Sequence, residues 1–459
     1  MIPETKPAHP ALTSPIYVQE NGWSIQRILK ADADYSQFVI PAHNSIEKIY
    51  THTLKLRQDD KLIFIADSAS DLAAFRVMIE TSKNKVKSVD IYYLKDFHND
   101  DLPVDDYFAD LTDEKTSLFI IDTLDDQIKA EFYRKLSERQ YDVGINMMNG
   151  SYDIRTKIGE IAGSYMPVAE MPGIQIKTLT QPVFHTNPED MKPIGDRLIS
   201  ILKDVKTFHF TDFLGNELSF EVNATDPWIN EANNGFALRR KDFKGSENLQ
   251  FVVDNLPMGE IYKNVRLGTA CGRWLFPQID MDVWQWAQRM GMINEQQKKQ
   301  MFIDFADQVL ITFHNGKIVD VAGGIRPEIF KKYLQEHAKK DETPQAILYL
   351  TEIAFGINIG GLIPETGEET TLGGEKALII HLAWGNAPVQ DINLTNPRNI
   401  IQSDSHLDQE LRGLFNLDVT LYNGKRLTLF GIGGILDGYS TEFLRYQQQI
   451  LDINTNHHK

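Results

Sequence analysis

Two patterns of chain organisation predict an α/β plus α+β protein: a doubly wound amino-terminal domain, then a carboxyl-terminal domain rich in antiparallel sheet. Three observations carry that expectation. Over the first third, apolar strand-like runs alternate with helical patterns. From about residue 205, strand runs are joined by tight turns. Between Glu352 and Asp408, carboxylates and imidazoles sit in runs that otherwise read as buried strands.

In the amino-terminal series, residues 61–67 form a buried-strand pattern. It leads through Ser68-Ala69-Ser70 into a helix from Asp71, with Ser70 as the expected cap. Residues 89–94, 118–122 and 142–147 continue the series. Strands spaced by helices imply a parallel sheet covered on both faces. Asp67, Asp122 and Asn146 fall near strand carboxyl ends, where such sheets bind ligands, but capping of the following helices is the expectation.

The later half reads as hairpins. Residues 208–211 and 218–222 flank Leu214-Gly215-Asn216, residues 309–313 and 318–321 flank Asn315-Gly316, and residues 419–422 and 426–430 flank Asn423-Gly424. A helical piece from Pro327 to His337 interrupts the strands. The expected division is an extension over 1–35, an α/β domain over 36–205 and an α+β domain over 206–459.

Composition narrows the function classes. A chain of 459 residues is expected to form more than one core. With a formal charge of −17 and 42% hydrophobic residues it reads as a soluble acidic globular protein, unsuited to nucleic acid. The short basic run Arg239-Arg240-Lys241 is expected to be a solvated turn. No run approaches a membrane span, the opening residues lack a secretory pattern, and the lone Cys271 cannot form an internal disulfide. A cytoplasmic location is the expectation.

Unpaired buried charges are costly, and a divalent cation is one reason to keep them. In His406-Leu407-Asp408 a two-residue step on an extended backbone points both polar side chains to one face. His381 ends an apolar run that releases into Gly385-Asn386, Glu352 repeats the theme within residues 350–356, and Glu260 follows a Pro-Met-Gly turn. Asp404 shares the alternation of His406 and Asp408, with a cap or turn role expected.

These segments resemble the M29 metallo-aminopeptidases, also called the thermophilic metalloprotease or aminopeptidase T family. The motifs are Asn255-Leu256-Pro257-Met258-Gly259-Glu260, Glu352-Ile353-Ala354-Phe355-Gly356-Ile357-Asn358, Glu375-Lys376 with His381-Leu382-Ala383-Trp384-Gly385, and Ser405-His406-Leu407-Asp408, in the family's order. The likeness spans roughly residues 40 to 440. It implies that Glu260, Glu352, His381, His406 and Asp408 bind two divalent ions (zinc, cobalt or manganese), one carboxylate lying between them. It implies peptide-bond hydrolysis at a peptide's amino terminus by an activated water, with Glu352 or Glu375 moving the proton. A homodimer is implied as well. Two departures stand out: Pro388 occupies the place of the family's metal-binding tyrosine, and residues 264–300, with Cys271, Trp274, Trp284 and Trp286, read as an insertion that could cap or narrow a cleft. A more distant resemblance, to iron-dependent dihydroxypyridine ring-cleaving dioxygenases, implies a single ferrous ion on two histidines and an aspartate. A non-catalytic descendant that binds a peptide or partner is the third reading.

Overall fold

The computed structural model describes residues 38–430 except 69, 96–107, 122–125, 139–140, 149–151, 234, 244–251, 277–278, 280, 295, 298–307, 324–326, 342, 359, 361–375, 377–379, 388–402, 404 and 412–414. Helices α1 (Val39–Lys48), α2 (Leu72–Ser82), α3 (Asp126–Glu138) and α4 (Tyr152–Gly163) accompany strands β1 (Lys61–Asp67), β2 (Ser88–Leu94), β3 (Thr116–Ile121), β4 (Val143–Asn146) and β5 (Val168–Glu170). Only Lys61 of β1 is exposed, the mark of a strand covered on both faces.

After helix α5 (Pro188–Leu202) the chain forms β6 (Val205–Asp212), β7 (Glu217–Glu221), β8 (Ile229–Asn230), β9 (Val253–Asn255), β10 (Glu260–Asn264) and β11 (Cys271–Phe276). Helix α6 (Met281–Arg289), β12 (Val309–His314), β13 (Lys317–Gly323) and α7 (Pro327–Ala338) follow, then β14 (Leu350–Gly356), β15 (Ile380–Gly385), β16 (His406–Glu410), β17 (Phe415–Leu421) and β18 (Arg426–Phe430). The fold is mixed α/β and α+β, as the sequence predicts. A parallel sheet runs β3-β2-β1-β4-β5-β9, a five-stranded antiparallel sheet β16-β15-β14-β10-β8, and a seven-stranded antiparallel sheet β13-β12-β11-β7-β6-β17-β18. All three expected hairpins form, β6–β7, β12–β13 and β17–β18.

β9 completes the parallel sheet and leads within a few residues into β10 of the five-stranded sheet. Gly259 in that link has φ 132°, and a Cβ there would lie 2.6 Å from the Asn358 Cβ, so only glycine fits. Asn358 fastens the same link by donating to the carbonyls of Met258 and Val183.

Three local expectations are corrected. The cap of α2 is Asp71, whose Oδ1 accepts from the Ala73 and Ala74 amides at 2.9 and 3.0 Å. Ser70 instead donates to Asp67 Oδ1 and the Met147 carbonyl, because its hydroxyl lies against β1 and the segment after β4. The basic run is not simply a solvated turn: Arg239 is fully buried, 3.0 Å from Asp60, which is buried too. Its rigid fork of donors also serves the Leu54 and Phe236 carbonyls, which is what makes a buried guanidinium tolerable. Lys241 closes on Asp60 Oδ1 at 2.8 Å. Asn146 is likewise no cap for α4: it accepts from the Met148 amide and donates to Glu170.

Glu170, at the end of β5, gives a pH prediction. Burial pushes its carboxyl up to about 7 from 4.5, with Arg155 and the Asn146 amide opposing. The folded chain therefore holds a proton there that the unfolded chain releases near 4.5, so this group's contribution to stability falls as pH rises from about 4.5 through about 7. Glu170→Gln should gain up to roughly 3 kcal/mol on the wild type between pH 5 and pH 8 in urea unfolding. Equal pH slopes for the two proteins would count against this assignment.

Candidate metal centre

Register decides which side chains of the five-stranded sheet share a face. Glu260 lies opposite Gly356, Glu352 opposite Ala383, His381 opposite Ala354 and Glu410, Asp408 opposite Ala383, and His406 opposite Gly385. Directly opposed residues point the same way, so Glu260, Glu352, His381, His406 and Asp408 project from one face. Ala354, Gly356, Ala383 and Gly385 separate them on that face. Ile353, Phe355, Leu382, Trp384 and Leu407 project from the other face into the main core.

One irregularity turns Leu350 and Glu352 to opposite faces. The register slips at Thr351, so Leu350 pairs with Trp384 whereas Glu352 pairs with Ala383. Unbroken alternation would put Leu350 on the face of Glu352, Ala354 and Gly356; the slip sends Leu350 to the core beside Trp384, and such bulges re-aim side chains. Gly385 provides a second constraint: at φ 101°, a Cβ would lie 2.2 Å from the Ser405 carbonyl oxygen, so glycine lets the strand carrying His406 come close.

All five residues come together, in two groups that share Glu352: Glu260, Glu352 and His381, and Glu352, His406 and Asp408. Within each group one donor atom per residue lies within 4.8 Å of the others. His381 Nε2 stands 3.3 Å from Glu260 Oε2, 3.9 Å from Glu352 Oε1 and 3.7 Å from Asp408 Oδ1. His406 Nε2 stands 3.7 Å from Glu352 Oε2 and 3.2 Å from Asp408 Oδ1. His406 Nδ1 lies 2.6 Å from the Asn386 carbonyl, an acceptor only, so Nδ1 carries the hydrogen and Nε2 faces the group. The turn before His406 is pinned by a 2.6 Å hydrogen bond between Tyr333 and Ser405 and by another from Ser403 to Asp341.

The pocket concentrates carboxylates whose ionisation burial opposes. Burial raises Glu352 well above the usual carboxylate range, helped by Glu260 and Asp408 and opposed by His406. Burial also raises Glu260, against Lys376. Burial works against ionising Asp408 as well, but the charge and hydrogen bond of His406, with His381 and Lys376, hold it well below its ordinary value. His381 is pulled down to about 4 by burial, so at neutral pH its ring is uncharged and able to donate a lone pair. Glu260 Oε2 is buried without a hydrogen-bond partner. Oxygen and imidazole donors without thiolate, with an orphaned carboxylate oxygen turned into the group, fit a divalent cation.

Two further residues take part. Lys376 Nζ lies 2.5 Å from Glu260 Oε1 and 3.0 Å from Glu231 Oε1, and all three side chains are buried. Lys376 belongs to the Glu375-Lys376 motif but has no role assigned there, and Glu231 lies outside all four motifs, so no part in holding a ligand follows from the sequence for either. Glu375, Pro388, Asp404 and Asp122 lie outside the described residues. Within residues 264–300, Trp274 packs edge-on against Phe210 and Phe415, Trp284 is buried, and Trp286 stands edge-on to Tyr333. These rings fill core, and Trp286 backs the tyrosine that holds Ser405.

No described helix is long and apolar enough to cross a membrane. No family profile and no curated protein matches the sequence. Among solved structures, the 2,5-dihydroxypyridine dioxygenase from Pseudomonas putida KT2440 matches with a TM-score of 0.48 at 14% identity, over 88% of this chain and 99% of that chain. Wild-type AmpT from Thermus thermophilus matches with a TM-score of 0.53 at 13% identity, over 86% and 98%. The chain is distantly related in fold to AmpT.

Proposed function

We propose that this chain is a metal-dependent aminopeptidase that removes amino-terminal residues from peptides. The observation that carries the reading is the pair of three-donor groups joined through Glu352. Glu260, Glu352 and His381 would hold one divalent ion, and Glu352, His406 and Asp408 a second, drawn from zinc, cobalt and manganese. Such ions supply an acidified water and polarise the scissile carbonyl. Glu352 is the described carboxylate assigned to take the water's proton and return it to the leaving amine. Glu375 is the other candidate for that transfer. Asp408, held ionised, keeps the pocket anionic and favours a cationic peptide terminus. A cytoplasmic homodimer is part of the same reading.

The test is to strip the protein with chelator, restore single metals and assay a panel of aminoacyl reporter substrates. At least one metal should restore cleavage, and affinity should rise with pH, because Glu260 and Glu352 must lose protons to bind. If no metal restores cleavage of any reporter, the aminopeptidase reading is lost.

One observation favours a second reading. His381 and His406 both approach Asp408 Oδ1, at 3.7 and 3.2 Å, which is a two-histidine, one-carboxylate set suited to one ferrous ion and ring-cleaving oxygen chemistry. One oxygen-sensitive iron per chain would favour it, two ions the hydrolase, and none a binding protein without catalysis.

A further inference from the structure

Behind Glu260 lies a buried arrangement that the proposed chemistry does not use. Glu231, in the turn Glu231–Asn233, accepts through one oxygen from the Gly259 and Glu260 amides at 2.7 and 3.1 Å. Its other oxygen receives Lys376 Nζ, which also meets Glu260 Oε1. The Lys376 carbonyl accepts from the Asn358 amide at 2.9 Å, and Asn358 in turn holds the Met258 carbonyl just before Gly259. Glu231 thus holds the backbone of Glu260 and Lys376 its carboxylate, with Asn358 tying Lys376 to the preceding turn, and Oε2 is left without a hydrogen-bond partner, 3.3 Å from His381.

We infer that Glu231 and Lys376 are positioning residues that make Glu260 a one-oxygen metal ligand: Lys376 occupies Oε1, Glu231 fixes the backbone, and only Oε2 is presented to the cation. This rests on the metal-centre reading above. An ammonium so close to a ligand also repels a cation, so the sign of its effect needs an argument. Lys376 lies between the carboxyl groups of Glu231 and Glu260, and Asp254 hydrogen-bonds Glu231 as well, so one ammonium serves three carboxyl groups. Removing Lys376 would take away the contacts that hold Glu260 Oε1 and Glu231 Oε1 in place and leave the carboxyl groups of Glu231, Asp254 and Glu260 crowded together with no ammonium among them, so Glu260 would lose the orientation that presents Oε2. Loss of ligand geometry therefore outweighs relief of repulsion, and outer partners of this kind are commonly worth about 10- to 100-fold in metal affinity.

The experiment measures zinc and manganese binding to the full chain by competition with a chromophoric chelator, for the wild type, Lys376→Met, Glu231→Gln and Glu260→Gln. Circular dichroism confirms folding. In Lys376→Met at least one ion should bind about tenfold or more weakly, reproducing the Glu260→Gln pattern, with Glu231→Gln shifted the same way. If Lys376→Met does not fold, Glu231→Gln, which keeps shape and one acceptor oxygen, decides the matter by the same measurement. Unchanged or tighter binding in the folded variant, with the wild type binding normally, overturns this inference alone. A wild type that binds no divalent ion overturns the metal-centre reading and this inference with it.

Discussion

Glu352→Gln should abolish the metal-restored activity, lowering kcat by about 10²- to 10⁴-fold, because this carboxylate belongs to both donor groups and is the described proton acceptor. Glutamine keeps the shape but removes the anion and the proton site together. Each ion should also bind more weakly, whereas Glu260→Gln and Asp408→Asn should each affect chiefly the group that contains them. The metal-free variant should be at least as stable as the wild type, because Glu352 is buried among like charges and the substitution removes a group the fold does not need charged. Metal content, kcat on the best reporter substrate and urea unfolding of the stripped protein check the three parts. Activity within a few-fold of wild type would remove Glu352 from the mechanism and pass the proton transfer to Glu375.

Trp384→Ala should be the most damaging single truncation behind the site, costing about 3–5 kcal/mol. The ring is fully buried, with centroids of Phe276, Phe313 and Phe330 at 5.4, 6.2 and 6.2 Å. Those partners belong to β11, β12 and α7, so Trp384 ties the sheet that bears the site to the seven-stranded sheet behind it. Its neighbours in sequence, Ala383 and Gly385, lie opposite Asp408 and His406, so loosening this ring should also blur the donor geometry. The check is a lowered urea midpoint with an unchanged denaturant slope, alongside weaker metal binding. A loss under about 1 kcal/mol would mean that the surrounding rings collapse into the space and that the ring is not the anchor described.

Much of this was legible in the sequence because it is local. The alternation in His406-Leu407-Asp408 puts Leu407 into the core and both polar side chains on the other face, as register confirms. Asn315-Gly316 and Asn423-Gly424 turn hairpins because their chemistry suits tight turns, whatever surrounds them. The antiparallel character of the later half and the parallel character of the earlier one follow from the same short-range patterns.

What the sequence could not show depends on contacts between distant residues. Arg239 reads as solvated until Asp60 is seen buried against it, and Ser70 reads as a cap until the Met147 carbonyl takes its hydroxyl. Lys376 acquires meaning only beside Glu231, which precedes it by more than a hundred residues.

The sequence by itself determined the mixed fold class, the hairpins and the residue types that gather at the centre, because side-chain alternation and turn chemistry are properties of a few consecutive residues. Only the tertiary structure decided which strands set Glu352 beside Glu260, His381, His406 and Asp408, and that Glu260 offers one oxygen, through Lys376 and Glu231. Both depend on strand register and buried charge pairing, which are settled when separate segments pack.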